Sequence, residues 1–469
     1  VHEPENRYDL AIIGSGPGGY VAAVRAGQLG LKTAVVELHD QPGGTCLHWG
    51  CIPTKAMLHA AEVLETTVRA GTFGVKVAAG KLDVEALHGY MKKVVQANAK
   101  GVEYLLKKNG VEFVRGRGRL AGSGRVQVTP PDGAPRLLAA RGTILATGSE
   151  IRGLPGVEFD GERVIHSDHA LKLGRVPRSM IVLGAGAVGV EFASIYRSFG
   201  SQVTVVELLP RLVPLEDEAL GQELEKAFRR RSITCHAGTR LSEVSTTAGR
   251  VRVKADKGGE VLELEADVLL VAVGRRPRTG DLGLEGTGVV VDGRGFIAVD
   301  PMMRTGEPGV YAIGDVLPTQ ALAHVASREG TVAVEHLAGL EPAPIDYDRV
   351  PSCTYCQPEV ASVGLTEAAA RERGHDVVVG RFPFSAVAKA KILDETQGFV
   401  KIVADRRWDE VLGVHVIGPH ATELIAEAAT ALSLEATVES LFQAIHAHPT
   451  LAEAMGEAAL AGHGRAIHF

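Results

Sequence analysis

The sequence predicts an α/β protein: two doubly wound, Rossmann-like parallel-sheet units followed by a C-terminal α+β unit. Three observations predict it. One glycine pattern occurs twice, as Tyr8-Asp-Leu-Ala-Ile-Ile-Gly-Ser-Gly-Pro-Gly-Gly19 and as Ser179-Met-Ile-Val-Leu-Gly-Ala-Gly-Ala-Val-Gly189. Each copy leads into small residues at helical spacing and then a second apolar run ending in Val-Val-Glu-Leu, at 35–38 and 205–208. Beyond these units, β-rich runs at 377–384, 398–404 and 411–418 precede a helical pattern that starts at Ala421.

The residue types in the repeat follow from what a dinucleotide requires. An apolar strand enters a turn whose first glycine, Gly14 or Gly184, permits the tight reversal into a helix. The second, Gly16 or Gly186, lets the backbone approach a pyrophosphate, and the third, Gly19 or Gly189, lets helix and strand pack closely. The pyrophosphate then meets free N–H groups at the positive end of the helix dipole. Glu37 and Glu207 end the next strands, where a carboxylate can accept ribose hydroxyls. Glu207 would repel a 2′-phosphate, so the second site is expected to prefer NAD to NADP. Arg211 reads as a solvated surface charge.

Composition narrows the function classes. The 469 residues are too many for one core, and 45% hydrophobic content with mixed charge describes a soluble globular protein. A net charge of −6 gives no electrostatic reason for nucleic acid as a partner, and no apolar run is long enough to span a membrane. The start, Val1 to Glu5, carries no signal core, so the expected location is cytoplasmic, although a processed organellar protein would look the same. Five cysteines cannot build a secreted disulfide framework, and no metal site of conventional spacing surrounds them. Cysteines that pair are therefore expected to be catalytic. Cys46 and Cys51 stand in Gly43-Gly-Thr-Cys-Leu-His-Trp-Gly-Cys-Ile-Pro-Thr-Lys55, where they can close a small ring. A helix start there would lower a thiol pKa from about 8.5 towards neutrality.

This segment, following the first glycine fingerprint, resembles the active site of the pyridine nucleotide-disulfide oxidoreductases. Leu145-Ala-Thr147-Gly148 and Ala272-Val-Gly274-Arg-Arg-Pro277 resemble the strand ends that close that family's two nucleotide units, and Val310-Tyr-Ala-Ile-Gly314-Asp315 resembles its second FAD segment. The resemblance implies FAD at Gly14, Gly16, Gly19, Glu37, Gly44, Thr45, Lys55, Thr147, Gly148, Gly314 and Asp315, and NAD at Gly184, Gly186, Gly189, Glu207 and Gly274. It implies an FAD-binding unit at 1–150 continued as a central part at 278–346, an NAD-binding unit at 151–277, and a dimer-interface unit at 347–469 after a Pro- and Asp-rich linker.

The segment His446-Ala-His448-Pro-Thr-Leu-Ala-Glu453 is similar to the C-terminal signature of dihydrolipoamide dehydrogenases. The resemblance makes His448 the base that deprotonates a substrate thiol, Glu453 the acid that fixes its tautomer, and His446 structural. It implies a homodimer in which His448 reaches the other subunit's Cys46–Cys51 disulfide, with Cys46 the more exposed thiol. Lys55 and Glu191 resemble a family pair beside flavin and nicotinamide. The partners implied are the dihydrolipoyl acyltransferase of a 2-oxo acid dehydrogenase complex and its lipoyl domains.

Two segments depart from the family pattern or stand outside it. His48-Trp49 replaces smaller residues between the cysteines, and Cys353-Thr-Tyr-Cys356 adds a second pair, read as structural. Cys235 is expected to be buried. Of the rival enzymes, glutathione reductase-like proteins would need a basic nucleotide pocket, mercuric reductases add a C-terminal cysteine pair, and soluble transhydrogenases lack the redox pair. A protein acting chiefly as a docking subunit would not need two nucleotide sites.

Overall fold

The computed structural model describes residues 7–247 and 249–469, so the Val1 to Glu5 segment lies outside the described residues. The chain divides into two compact units: one holds residues through Ala56 with His88–Arg152 and Arg275–Tyr347, the other Met57–Leu87 with Gly153–Gly274 and Asp348–Phe469.

The first unit is built on a seven-stranded sheet. Its order runs Glu112–Arg115, Thr33–Glu37, Arg7–Ile13, Arg136–Leu145, Arg125–Thr129 and Arg117–Leu120, with Val310–Ala312 also pairing Arg136–Leu145. The strand Arg7–Ile13 lies parallel to both neighbours, Leu10 opposite Thr33 and Ile13 opposite Leu145. Leu10, Ala11 and Ile12 are fully buried, as expected of a strand covered on both faces. The helix Pro17–Gln28 opens with Pro in its first turn, where the missing N–H costs nothing. It buries a face of Gly18, Gly19, Ala22, Ala23 and Ala26. The helix Ala323–Leu337 packs on that face so closely that a Cβ on Gly330 would lie 2.7 Å from the Gly18 carbonyl. This sheet is mixed where parallel pairing was expected. Arg117–Leu120 and Arg125–Thr129 alternate exposed and buried positions, the pattern of a one-sided hairpin, and so pair antiparallel.

In the second unit, five parallel strands run in the order Ile233–His236, Gln202–Val206, Ser179–Leu183, Val268–Val271 and Val164–Ile165. Beside them stands an antiparallel three-stranded sheet, Arg240–Thr247, Arg250–Lys257 and Glu260–Ala266, whose alternating burial is the period-two signature. A third sheet of this unit is antiparallel, in the order Ser352–Thr354, Glu359–Gly364, Val411–Gly418, Phe399–Asp405 and Val377–Pro383. Its last three strands fall at the β-rich runs read from the sequence, and the helix Ala421–Ser433 begins where expected. The helix Glu453–Gly462 lies against Val377–Pro383 at Gly380, where a Cβ would meet the Ala458 carbonyl at 2.0 Å. Among the described residues no helix is long and apolar enough to cross a membrane.

Candidate active site

The two glycine turns are built alike. Gly14 and Gly184 have φ of 104° and 98°, a region closed to most side chains, and a Cβ on either would strike the backbone of Ala146 or Ala272. A Cβ added to Gly19 or Gly189 would strike the carbonyl of Gly14 or Gly184 in the same way. A Cβ on Gly16 or Gly186, by contrast, meets nothing within 4 Å, which leaves open the side where a pyrophosphate would face the helices Pro17–Gln28 and Ala187–Ser198.

Glu37 and Glu207 are both buried and serve both ends of the same device. Glu37 Oε2 accepts the Ser15 N–H at 3.0 Å and its hydroxyl at 2.5 Å, while Oε1 accepts the His39 N–H. Glu207 Oε2 accepts the Ala185 N–H at 2.6 Å and Oε1 the Leu209 N–H at 2.8 Å. Each acid ties the strand end to the glycine turn and retains lone pairs for ribose hydroxyls. Arg211 is not the free surface charge expected: it is half-buried and donates to the Pro214 carbonyl at 3.1 Å, which commits a nearby cation to the chain's own backbone.

The redox segment stands on the first turn. A Cβ on Gly44, at φ 59°, would lie 2.7 Å from Gly16 Cα. Thr45 and Cys46 lie in the short helix Gly44–Trp49, and Cys51 opens the long helix Cys51–Arg69. Gly50 makes the break between them, with no room for a side chain against the Thr45 carbonyl and Cys46 Cα. The long helix takes Pro53 in its first turn, where a missing N–H is tolerated.

Across this bend the two cysteines, both thiols here, come within hydrogen-bonding reach of each other. That bond, then burial, push the Cys46 pKa up, against a smaller lowering by Lys55. The direction is opposite to the sequence expectation. A helix start favours one thiolate, but once Cys46 shares its proton with Cys51, ionising Cys46 as well is opposed. The exposure order is also reversed: Cys51 is exposed and Cys46 half-buried, since Cys46 sits within the short helix while Cys51 begins a new one. His48 Nε2 lies 2.9 Å from the Pro42 carbonyl, and Trp49 packs edge-on against His39 at 4.8 Å.

Other predicted residues gather in two places. Thr147 donates to the Arg278 carbonyl at 2.7 Å, and Gly148 at φ 70° turns the chain into the short strand Ser149–Ile151. Asp315 accepts the Ser149 hydroxyl at 2.5 Å, and Arg275 donates to that same Ser149 oxygen at 2.7 Å. Gly314 N–H is held at 2.6 Å by Glu329, a fully buried acid that also takes bonds from Thr319 and Tyr347 and whose pKa burial raises. Ser149 and Glu329 were not identified from sequence, and no local pattern marks either. On the second unit, Gly274 has φ 105° just after the strand Val268–Val271. Glu191 is buried in the helix Ala187–Ser198 and accepts the Tyr355 N–H at 3.0 Å. Lys55 belongs to the first unit and Glu191 to the second.

Near the C-terminus, His448 Nδ1 lies 2.9 Å from Glu453 Oε1, and Glu453 Oε2 accepts the Thr450 N–H at 2.9 Å. The His448 side chain is 71% exposed, so its other nitrogen is accessible. Burial opposes the charge of Glu453, but these two bonds outweigh it and hold its carboxyl below the ordinary range. His446 is instead fixed 2.7 Å from Glu427, which raises its pKa, in keeping with a structural part. Of the other cysteines, Cys353 and Cys356 point to different carbonyls, of Thr422 and Pro358, and burial pushes the Cys356 thiol up. Cys235 is half-buried rather than buried, and its pKa is pushed up to about 12 by burial.

Comparison with known proteins agrees with this geometry. Residues 8–330 match the model of the pyridine nucleotide-disulphide oxidoreductases, and residues 350–459 match the dimerisation domain of that family. The chain is 46% identical to a dihydrolipoyl dehydrogenase of Bacillus subtilis, over 98% of this chain and 99% of the relative. It is 42% identical to the mitochondrial dihydrolipoyl dehydrogenase of Pisum sativum, over 98% and 92%. Its fold superposes on the crystal structure of LpdA from Mycobacterium tuberculosis with a TM-score of 0.89 at 30% identity, covering 97% of this chain and 99% of the other. The family's dinucleotides are FAD and NAD, and both glycine turns fit such ligands on the open faces of Gly16 and Gly186. The chain belongs to the pyridine nucleotide-disulphide oxidoreductase family, within its dihydrolipoyl dehydrogenase group.

Proposed function

We propose that this protein oxidises dihydrolipoamide to lipoamide and passes the two electrons to NAD⁺. The observation that carries the reading is the Cys46–Cys51 pair, held in mutual reach by the Gly50 bend on top of a dinucleotide turn. FAD would be held at Gly14, Gly16, Gly19, Glu37, Gly44, Thr45, Lys55, Thr147, Gly148, Gly314 and Asp315, where it would supply two-electron chemistry. NAD would be held at Gly184, Gly186, Gly189, Glu207 and Gly274.

His448 takes a proton from one substrate thiol, with Glu453 accepting the other ring N–H and fixing the tautomer. The substrate thiolate attacks Cys46 Sγ of the Cys46–Cys51 disulfide, whose S–S bond breaks and leaves Cys51 as thiolate. The second substrate thiol attacks the mixed disulfide, closes lipoamide, and returns Cys46 as a thiol. The substrate loses two electrons and the cysteine pair gains them. Naming Cys46 as the sulfur attacked rests on the family motif, because exposure in the single chain ranks the thiols the other way. Lys55 is taken to serve beside the flavin and Glu191 beside the nicotinamide.

In this reading 1–150 with 278–346 forms the FAD-binding domain, 151–277 the NAD-binding domain and 347–469 the interface domain. The working form is a homodimer in which His448 serves the other subunit's cysteines, a proposal that the dimerisation-domain match supports. The protein acts in the cytoplasm, bound to the dihydrolipoyl acyltransferase of a 2-oxo acid dehydrogenase complex and serving its lipoyl domains.

The test is Cys46→Ser. It is expected to abolish dihydrolipoamide-dependent NAD⁺ reduction while the purified protein keeps its flavin absorbance. Retained turnover would sink the assignment.

A further inference from the structure

Ala185, between Gly184 and Gly186, is held on both of its backbone groups. Its N–H is taken by Glu207, and its carbonyl accepts the Val213 N–H at 2.9 Å. Val213 has φ 40° and precedes Pro214. A β-branched residue occupies that region only where its surroundings impose it, and such strain is kept where it serves a purpose.

The imposing contacts come from the next residues. Glu216, buried, accepts the hydroxyls of Ser352 at 2.9 Å and Ser362 at 2.5 Å. Asp217, also buried, accepts the Ala219 N–H that starts the helix Glu218–Arg230, the Lys401 ammonium at 2.8 Å and the Glu367 N–H at 3.1 Å. Ser352, Ser362, Glu367 and Lys401 all lie within the region matched by the dimerisation domain. A continuous run of short bonds therefore joins the second glycine turn to the sheet of that domain. Burial raises the Glu216 pKa against the effect of the two serines.

We propose that Glu216 is a positioning residue for NAD: it clamps the Leu208–Asp217 loop to Ser352 and Ser362, and through Val213 holds the Gly184–Gly189 turn in its binding shape. The inference rests on the assignment of NAD to that turn and to Glu207. NAD affinity then depends on a contact made by the dimerisation domain.

The experiment is calorimetric titration of the purified FAD-loaded homodimer with NAD⁺, together with steady-state KM and kcat. Glu216→Ala and the double variant Ser352→Ala/Ser362→Ala are each expected to raise the NAD⁺ Kd about five- to tenfold, the order of effect of losing two buried hydrogen bonds. KM for NAD⁺ should follow, with kcat at saturating NAD⁺ within about twofold of wild type. Glu216→Gln, which fills the same space and can bond both hydroxyls, should stay within about twofold of the wild-type Kd. Glu207→Ala is the control for the site. If it weakens NAD⁺ binding while Glu216→Ala and the serine pair leave Kd unchanged, the clamp is refuted and the site stands. If Glu207→Ala itself leaves binding unchanged, the site assignment fails and the clamp falls with it. Should Glu216→Ala fail to fold, the serine pair decides alone.

Discussion

Replacing Glu453 by Gln tests the proposed base more sharply than removing the histidine. Both oxygens of Glu453 accept: Oε1 from His448 Nδ1 and Oε2 from the Thr450 N–H, each at 2.9 Å. A glutamine amide offers one acceptor and one donor, so one of the two N–H groups must lose its partner and face an NH₂. A hydrogen bond to a charged acceptor contributes about 1.5–3 kcal/mol, and the exposure of His448 places this one at the lower end. At about 1.4 kcal/mol per decade, kcat/KM for dihydrolipoamide should fall roughly ten- to thirtyfold in Glu453→Gln. The assay is NAD⁺ reduction under dihydrolipoamide at saturating NAD⁺, paired with calorimetric NAD⁺ binding. NAD⁺ Kd should stay near wild type, since it does not depend on imidazole orientation. A loss below about twofold would refute the orienting role of Glu453. An equal loss of NAD⁺ affinity would show that the substitution damages the fold and not the base.

Three further perturbations follow from the packing and the charges. His448→Gln should lower dihydrolipoamide turnover by about 10²- to 10⁴-fold, the usual contribution of a general base, while flavin content is retained; a smaller loss in steady-state kinetics would move the base elsewhere. Gly380→Ala drives a Cβ into the Ala458 carbonyl and must displace the helix that carries Glu453, at a cost of about 1–3 kcal/mol. Its melting temperature and its kcat/KM for dihydrolipoamide should fall together, with NAD⁺ affinity unchanged. Lys401→Met leaves Asp217 and Glu367 without their shared cation and should cost about 3 kcal/mol at neutral pH by urea unfolding.

The pH dependence of that last variant has a definite sign. Burial opposes the charge of Asp217, but His415, the Lys401 bond and the Glu367 N–H hold its pKa low; the Lys401 bond is the first cause of the lowered pKa of Glu367. His415 is itself pushed down by burial, while Lys401 meets Asp217 at 2.8 Å and Glu367 at 2.7 Å directly. A carboxyl with a depressed folded-state pKa stabilises the fold fully above its unfolded pKa, about 4, and loses that contribution as pH falls through the folded value. The wild type should therefore lose stability below about pH 4, and the gap to Lys401→Met should narrow over the same interval. A gap independent of pH would mean that Lys401 acts through packing alone.

What could be read from the sequence was what chemistry writes locally. The glycine turns, Glu37 and Glu207 follow one another within single strand–turn–helix–strand units, so spacing alone placed them, and the strand Val411–Gly418 announced itself by β-rich composition. The short distance between His448 and Glu453 likewise follows from their adjacency in the chain. The antiparallel sheet at Arg240–Ala266 was missed because its alternating Arg-Val-Arg-Val is weak beside the stronger nucleotide pattern on either side.

The supports beneath the site were not readable, for a different reason. Arg275 meets Ser149 across 126 positions, Ser352 meets Glu216 across 136, and Arg231 meets Glu65 across 166. No periodicity connects residues so far apart, and each partner alone is an ordinary surface residue type. The reversed shift of Cys46 belongs to the same class: helix position was legible, but the proton shared with Cys51 depends on how Gly50 bends the chain. Arg231 shows what such supports do. It donates to Glu65 on the helix that Cys51 begins, to Ser194 and Ser198 on the helix that carries Glu191, and to the Gln357 carbonyl beside the loop whose Tyr355 N–H binds Glu191. One guanidinium thus fixes three segments with a planar set of donors that a lysine could not reproduce. The residues that define the chemistry are local and legible; those that hold them at working distance are long-range, and only the folded chain reveals them.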